Sequence, residues 1–194
     1  MAMLEVVKDG HPALKKSAKR IKKVSDEIRT LASDMVETML GSNGVGLAAN
    51  QVAQTCRMIA VMHAMDDVRV YLNPRISKFS DEEEFSDEGC LSFPMLYGNV
   101  PRSVEVTVCA QDIDMNKLKF TAEGFLARIF QHEIDHLNGI TFTLRAEPDS
   151  LRILKPVEID AEEPASEEAP IDDEAAQNPE LTSETTGNNF SELA

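Results

Sequence analysis

The spacing of apolar positions changes several times along the chain. In SDEIRTLASDMVETML (25–40), Ile28, Leu31, Met35 and Met39 recur at intervals of three and four, the period of one helix face. Ser25 stands where an N-cap belongs and Gly41 where a stop belongs, so a helix is predicted over 26–40. A loop rich in Gly, Ala and Asn follows, SNGVGLAANQVAQ. Short runs then alternate or cluster apolar residues as strands do: 57–62, 68–73, 75–79, 104–109 and 117–122, the last two joined by a turn over Asp112–Lys117. Gly124 opens a second helix, FLARIFQHEIDHL, which Asn138-Gly139 ends. Leu126, Ala127, Ile129, Phe130, Ile134 and Leu137 make that helix apolar on most faces, so it belongs inside the domain. Strands grouped between helices predict an α+β fold: short antiparallel or mixed sheets around a central helix, with an N-terminal helix outside.

Charge divides the chain in two. The 194 residues carry 19 Lys+Arg and 34 Asp+Glu, a net charge of −15. No base follows Lys155, and twelve of the acids lie in 156–194. The body (1–155) is therefore close to −3 and the tail −12. With prolines at 156, 164, 170 and 179 and no apolar period, the tail is expected to be disordered. An acidic balance argues against a DNA- or RNA-binding role, since phosphate is held by dense Lys and Arg. There is no run of 18 apolar residues, and the first 30 residues lack both an apolar core and a cleavage site, which argues against a membrane span and a secretory signal. Three cysteines, an odd number, do not suggest a disulfide framework. Cys56 and Cys109 sit in apolar contexts and read as buried structural thiols.

Within the second helix, His132-Glu133-Ile134-Asp135-His136 places two imidazoles on one face, where both can reach one cation. Glu133 is placed to activate a water there. Asp135 reads as a supporting or solvent-facing carboxylate. Two histidines leave a catalytic metal one protein ligand short. No His follows His136, whereas EGCLSFP (88–94) offers Cys90 between a flexible Gly and a rigid Pro. A Cys–His–His set with an open fourth position suits Zn or Fe(II). Gly44-Val45-Gly46-Leu47-Ala48-Ala49 spells a dinucleotide pattern, but a helix precedes it and strand residues follow it, the reverse of what that pattern needs. It reads better as a tight loop that lets backbone approach a ligand, with Gln51 supplying an amide donor.

Together, GVGLAANQ (44–51), EGCLS (88–92) and HEIDH (132–136) resemble, in order, the three motifs of the peptide deformylase family. The likeness extends to the N-terminal helix, Pro101-Arg102 and the IFQHEIDHLNG frame, covers about residues 1–145, and stops after Arg145. Family members often continue into a basic C-terminal helix, for which AEPDSLRILKP leaves room for a short one at most. The resemblance implies an amide hydrolase that removes the formyl group from formyl-methionine on newly made polypeptides. Cys90, His132 and His136 would bind one divalent metal, natively Fe(II), with zinc, nickel or cobalt as substitutes. Glu133 would be the general base toward a water on that metal, Gln51 and the Leu91 N–H would hold the oxyanion, and the Gly46 carbonyl would accept the formamide N–H. Glu88 and Arg102 would pair behind the metal ligands. Val45, Phe125 and Ile129 are candidates for the methionine pocket, a role that core packing would explain almost as well. The implied partners are formyl-methionyl nascent chains, with a ribosome contact through the Lys15–Lys23 stretch left open. No transit peptide is evident, which favours a bacterial-type cytoplasm over an organelle, and a monomer is expected. A metallopeptidase of the HExxH type, or a deformylase-like protein that binds peptides without turnover, are the competing readings.

Overall fold

The computed structural model describes residues 2–154; the expected disorder of 156–194 concerns residues outside that range. The architecture is α+β. Among the described residues two α-helices, α1 (Asp26–Gly41) and α2 (Gly124–Leu137), accompany eight strands: β1 (Gly46–Ala48), β2 (Met58–Ala64), β3 (Asp67–Phe79), β4 (Glu83–Cys90), β5 (Phe93–Ser103), β6 (Glu105–Gln111), β7 (Lys117–Glu123) and β8 (Arg152–Ile153). One sheet has the order β1-β2-β3-β6-β7 and the other β4-β5-β8. Every pairing within them is antiparallel.

The larger sheet is buried on both faces at β2. Met58 and Ala60 point to one side, against Met35 and Met39 of α1. Ile59 and Val61 point to the other, against Phe130, Ile134 and Leu137 of α2. A continuous apolar run, MIAV, is what a doubly covered strand requires. α1 packs on β1, β2 and β3, while α2 touches β1, β2, β3, β5, β6 and β7 and is the axis around which both sheets close. Leu14, Phe93, Val100 and Phe142 form a third apolar cluster beneath the smaller sheet.

Several local expectations change. Ser25 is the N-cap of α1 but makes no side-chain cap bond. Asp26 and Glu27 in the first turn complement the helix's positive end. The expected strands 68–73 and 75–79 are one strand, β3, whose register against β6 slips between Leu72 and Arg75. Asn73, with φ of 53°, takes up that slip. The loop at 42–54 contains β1 and a 3-10 turn, Ala49–Val52. Among the described residues the short C-terminal helix does not form: Phe142–Leu144 is a 3-10 turn, and Arg152–Ile153 is a strand paired to Leu96 and Tyr97. Cys56 and Cys109 are half-buried rather than buried, and burial pushes the Cys56 thiol pKa up.

Candidate active site

Three elements bring the chemistry to one place. Cys90 ends β4 at a register slip, where Gly89 pairs with Tyr97 but Cys90 pairs with Phe93. A Cβ on Gly89 would lie 2.7 Å from the Tyr97 ring, so only glycine lets the hairpin close this tightly beside the thiol. His132 and His136 lie one turn apart on α2. The Cys90 Sγ is 3.2 Å from His136 Nε2, and the two Nε2 atoms are 3.2 Å apart. One donor atom from each of the three residues converges within 4.8 Å. A sulfur and two imidazole nitrogens packed so closely, without a cation, would leave lone pairs facing one another. The donor set therefore fits one metal ion.

The positions of the imidazoles are set from behind. Glu88 lies on β4 and is 6% exposed. It accepts bonds from Arg102 Nε (2.9 Å) and Nη2 (3.1 Å), from Arg128 Nη1 (3.0 Å) and from His132 Nδ1 (2.8 Å). Burial opposes the charge of this carboxylate, but the bonds from His132 and Arg102 prevail and hold its pKa down at about 2. An ionised acceptor makes His132 Nδ1 the donor and leaves Nε2 aimed at Cys90. Burial, reinforced by the neighbouring His132, pulls His136 well below its ordinary pKa. Arg102 also reaches Asp135 at 2.5 Å, and Arg145 grips the same carboxylate at 2.9 and 3.2 Å. Asp135 is thus a buried partner of two arginines.

The loop at 44–52 supplies the opposite wall. Ala48 N–H donates to Gln51 Oε1 at 2.8 Å, which turns the amide nitrogen toward Cys90 Sγ and Ser92 Oγ, each 3.4 Å away. Asn50 donates to the His136 carbonyl and so ties this loop to α2. Val45 O accepts from Met62 N, and Gly46 faces Val61 in the same register. In an antiparallel ladder the bonded pairs alternate, so the Gly46 backbone points away from β2, toward the free edge of the sheet. A Cβ on Gly46 would sit 2.4 Å from Glu133 Oε1. The carboxylate occupies the space that the missing side chain leaves. Glu133 is 4% exposed, and burial, only partly offset by the charge of His132, raises its pKa to about 7. Its Oε2 has no hydrogen-bond partner among the described residues.

A cavity of about 520 Å³ opens over these groups. Val45, Gly46, Gln51, Glu88, Cys90, Leu91, Phe125, Ile129, His132 and Glu133 all line it. His136 and Arg102 lie behind that lining, 1% and 5% exposed. Of the pocket candidates, Ile129 is buried, whereas Val45 and Phe125 are 40% and 66% exposed at the rim. Every residue expected from the sequence is therefore in or directly behind one cavity.

The family model for polypeptide deformylase matches residues 3–151. The chain belongs to the polypeptide deformylase family. The match continues six residues past Arg145, where the sequence likeness ends, and takes in the segment leading to β8. A peptide deformylase of Natranaerobius thermophilus is 44% identical over 147 residues, 76% of this chain and 94% of that protein. The crystal structure of a peptide deformylase from Thermotoga maritima superposes with a TM-score of 0.74 at 35% identity, over 76% of this chain and all of that one. A Met-Ala-Ser-bound deformylase from Acinetobacter baumannii gives 0.71 at 38%, over 74% and 98%.

Five residues of this deformylase site escaped the sequence reading. Arg128 is buried and bonds Glu88, the Val100 carbonyl at 2.8 Å and the Glu84 carbonyl at 2.7 Å. The signal for it was present: a cation in an otherwise apolar helix, one turn before His132. Ser92 is fully buried beside Gln51. Met95, Leu96 and Tyr97 of β5 form one wall of the cavity, and nothing in the sequence marked β5 as a strand.

Proposed function

We propose that this chain removes the formyl group from the N-terminal formyl-methionine of newly made polypeptides, releasing formate and a free amine, with Cys90, His132 and His136 holding one divalent ion. Membership of the family carries the activity. The observation that carries the assignment of roles is the convergence of the Cys–His–His donors, the Glu133 carboxylate and the Gln51 amide around one cavity. Fe(II) is the ion we assign, since a sulfur beside two imidazoles suits a ferrous centre, with zinc, nickel or cobalt able to occupy the same donors. When bound, the ion supplies Lewis acidity toward the formyl oxygen and lowers the pKa of a water.

The protein's own groups do the rest. Glu133, buried with one unpartnered oxygen, takes a proton from the attacking water and passes it to the departing amine. Gln51 Nε2, fixed by the bond from Ala48 to its other atom, and the Leu91 N–H donate to the oxygen that becomes negative as the carbonyl carbon turns tetrahedral. The Gly46 carbonyl, free at the edge of β1, accepts the formamide N–H and aligns the substrate as an added strand. Val45, Phe125 and Ile129 surround the methionine side chain. Glu88 and Arg102 keep His132 in its tautomer.

All three thiols are free, which supports a reducing, cytoplasmic setting. Among the described residues no helix is long and apolar enough to cross a membrane. We take the enzyme to act there as a monomer on nascent chains. The test is formate release from formyl-Met-Ala-Ser by anaerobically prepared, iron-loaded protein. Stoichiometric formate is expected, with casein left intact. Casein cleavage without formate release would favour the metallopeptidase reading.

A further inference from the structure

A second cavity, of about 540 Å³, lies on the part of the larger sheet that α1 leaves uncovered. Arg75, Cys109 and Lys119 are paired across β3, β6 and β7, and Gln111 pairs with Lys117 in the next bonded row. Paired residues share a sheet face, so these cations stand side by side. Arg20 and Arg57 complete the rim, and among the described residues no carboxylate lines the cavity. In a chain with 34 acids and 19 bases, five cations without an acid among them are a concentrated exception.

None of the five is in an ion pair among the described residues. Arg57 is half-buried and bonds only neutral acceptors: the Pro74 carbonyl at 3.0 Å, Asn138 Oδ1 at 2.9 Å and the Leu137 carbonyl at 3.3 Å. The adjoining segment is pinned in place, with Ile21 N donating to Asn73 Oδ1 at 2.8 Å and Asn73 Nδ2 returning a bond to the Ile21 carbonyl at 2.9 Å. The exposed Lys19, Lys22 and Lys23 flank Arg20 and the pinned Ile21 along that segment.

We propose that this face docks RNA through its phosphate backbone. Five cations spread across three strands and the adjoining segment suit a row of phosphates better than a single anion. No aromatic side chain lines the cavity, and the amides of Asn73 and Gln111 are bonded to each other at 2.9 Å. With no aromatic platform and the two amides already engaged, the contacts left are those of the cations, which we assign to phosphate, and binding is expected to be independent of sequence. The surface stands on its charges. RNA as the source of phosphate rests on the nascent-chain reading above, because a chain still being translated is tethered to RNA.

The test is fluorescence anisotropy of a labelled, mixed-sequence RNA hairpin with the full chain across 50–200 mM salt. The wild type is compared with the triple variant Arg75→Gln, Lys117→Gln, Lys119→Gln, whose three side chains are exposed. The wild type is expected to bind with a steep salt dependence. The variant should bind more weakly, with a log–log salt slope shallower by about 2–3, from roughly 0.7–0.9 per lost phosphate contact. Formate release should be equal in both proteins, which checks folding and separates this inference from the hydrolase reading. Absence of RNA binding at 50 mM salt, equal binding by the variant, or saturable uptake of inorganic phosphate without RNA binding would each overturn the proposal.

Discussion

Gly46 and Glu133 form the tightest relation in the site. A methyl group at position 46 would arrive 2.4 Å from the carboxylate oxygen, closer than atoms pack, so the acid must swing away. Gly46→Ala is expected to lower formyl-peptide turnover by about 10²-fold, the order that a displacement of about 1 Å can cost, while iron content stays near one per chain. Turnover at the wild-type level would mean that Glu133 tolerates displacement and is not positioned by the glycine. Cys90→Ala removes the only sulfur donor of the cluster; elemental analysis should show metal lost or sharply reduced, and equal metal content in both proteins would sink that ligand assignment. At this scale the sequence was highly legible. His132, Glu133 and His136 declare themselves because a buried, apolar helix has no other reason to carry them, and Gln51 and Cys90 stand in short motifs. Arg128 left a signal, a cation in an apolar helix, but its partners, like those of Ser92 and the burial of Asp135, depend on elements distant in sequence.

Among the elements, the helices could be read because their information is local: a 3.6-residue period, polar starts, Gly or Asn-Gly stops. The β4–β5 hairpin could not. Glu83–Cys90 reads EEFSDEGC, mostly exposed, and its strand character comes from pairing with β5 rather than from propensity. Pro94, Gly98 and Pro101 disguise β5 in turn. Pro101 is tolerated because β8 pairs only with Leu96 and Tyr97, leaving the rest of that edge without a ladder to interrupt. This hairpin carries Glu88, Cys90, Leu91 and Arg102, so the element hardest to read holds much of the site. Its attachment to α2 is ionic and buried, through Glu88, Arg102, Arg128 and Asp135. Glu88→Gln keeps the shape but leaves Arg102 and Arg128 short of a buried anion. We expect a loss of ~3–5 kcal/mol, seen by calorimetry as a fall in Tm of roughly 10 °C. A change under ~1 kcal/mol would show that water or another acid compensates the two guanidiniums.

For the whole molecule, the net charge of −15 describes no single surface. Twelve of the acids belong to 156–194, and the body that remains combines an acidic hairpin strand, a buried ionic cluster behind the active site and a basic face on the part of the larger sheet that α1 leaves uncovered. All candidate catalytic and ligand residues lie between Val45 and His136. Truncation after Lys155 should therefore leave formyl-peptide turnover within about twofold of the full chain, measured as initial rates on formyl-Met-Ala-Ser; a large loss would assign the tail a part in closing or supporting the site. What the whole chain does rests on one arrangement, a buried carboxylate poised beside three convergent donor atoms. The most direct measurement is single-turnover formate release by the wild type and by Glu133→Ala, prepared anaerobically and matched for iron content. The wild type should release one formate per peptide, and the variant should hold its iron while losing at least 10²-fold in rate. Equal iron with substantial residual turnover in the variant would contradict the account.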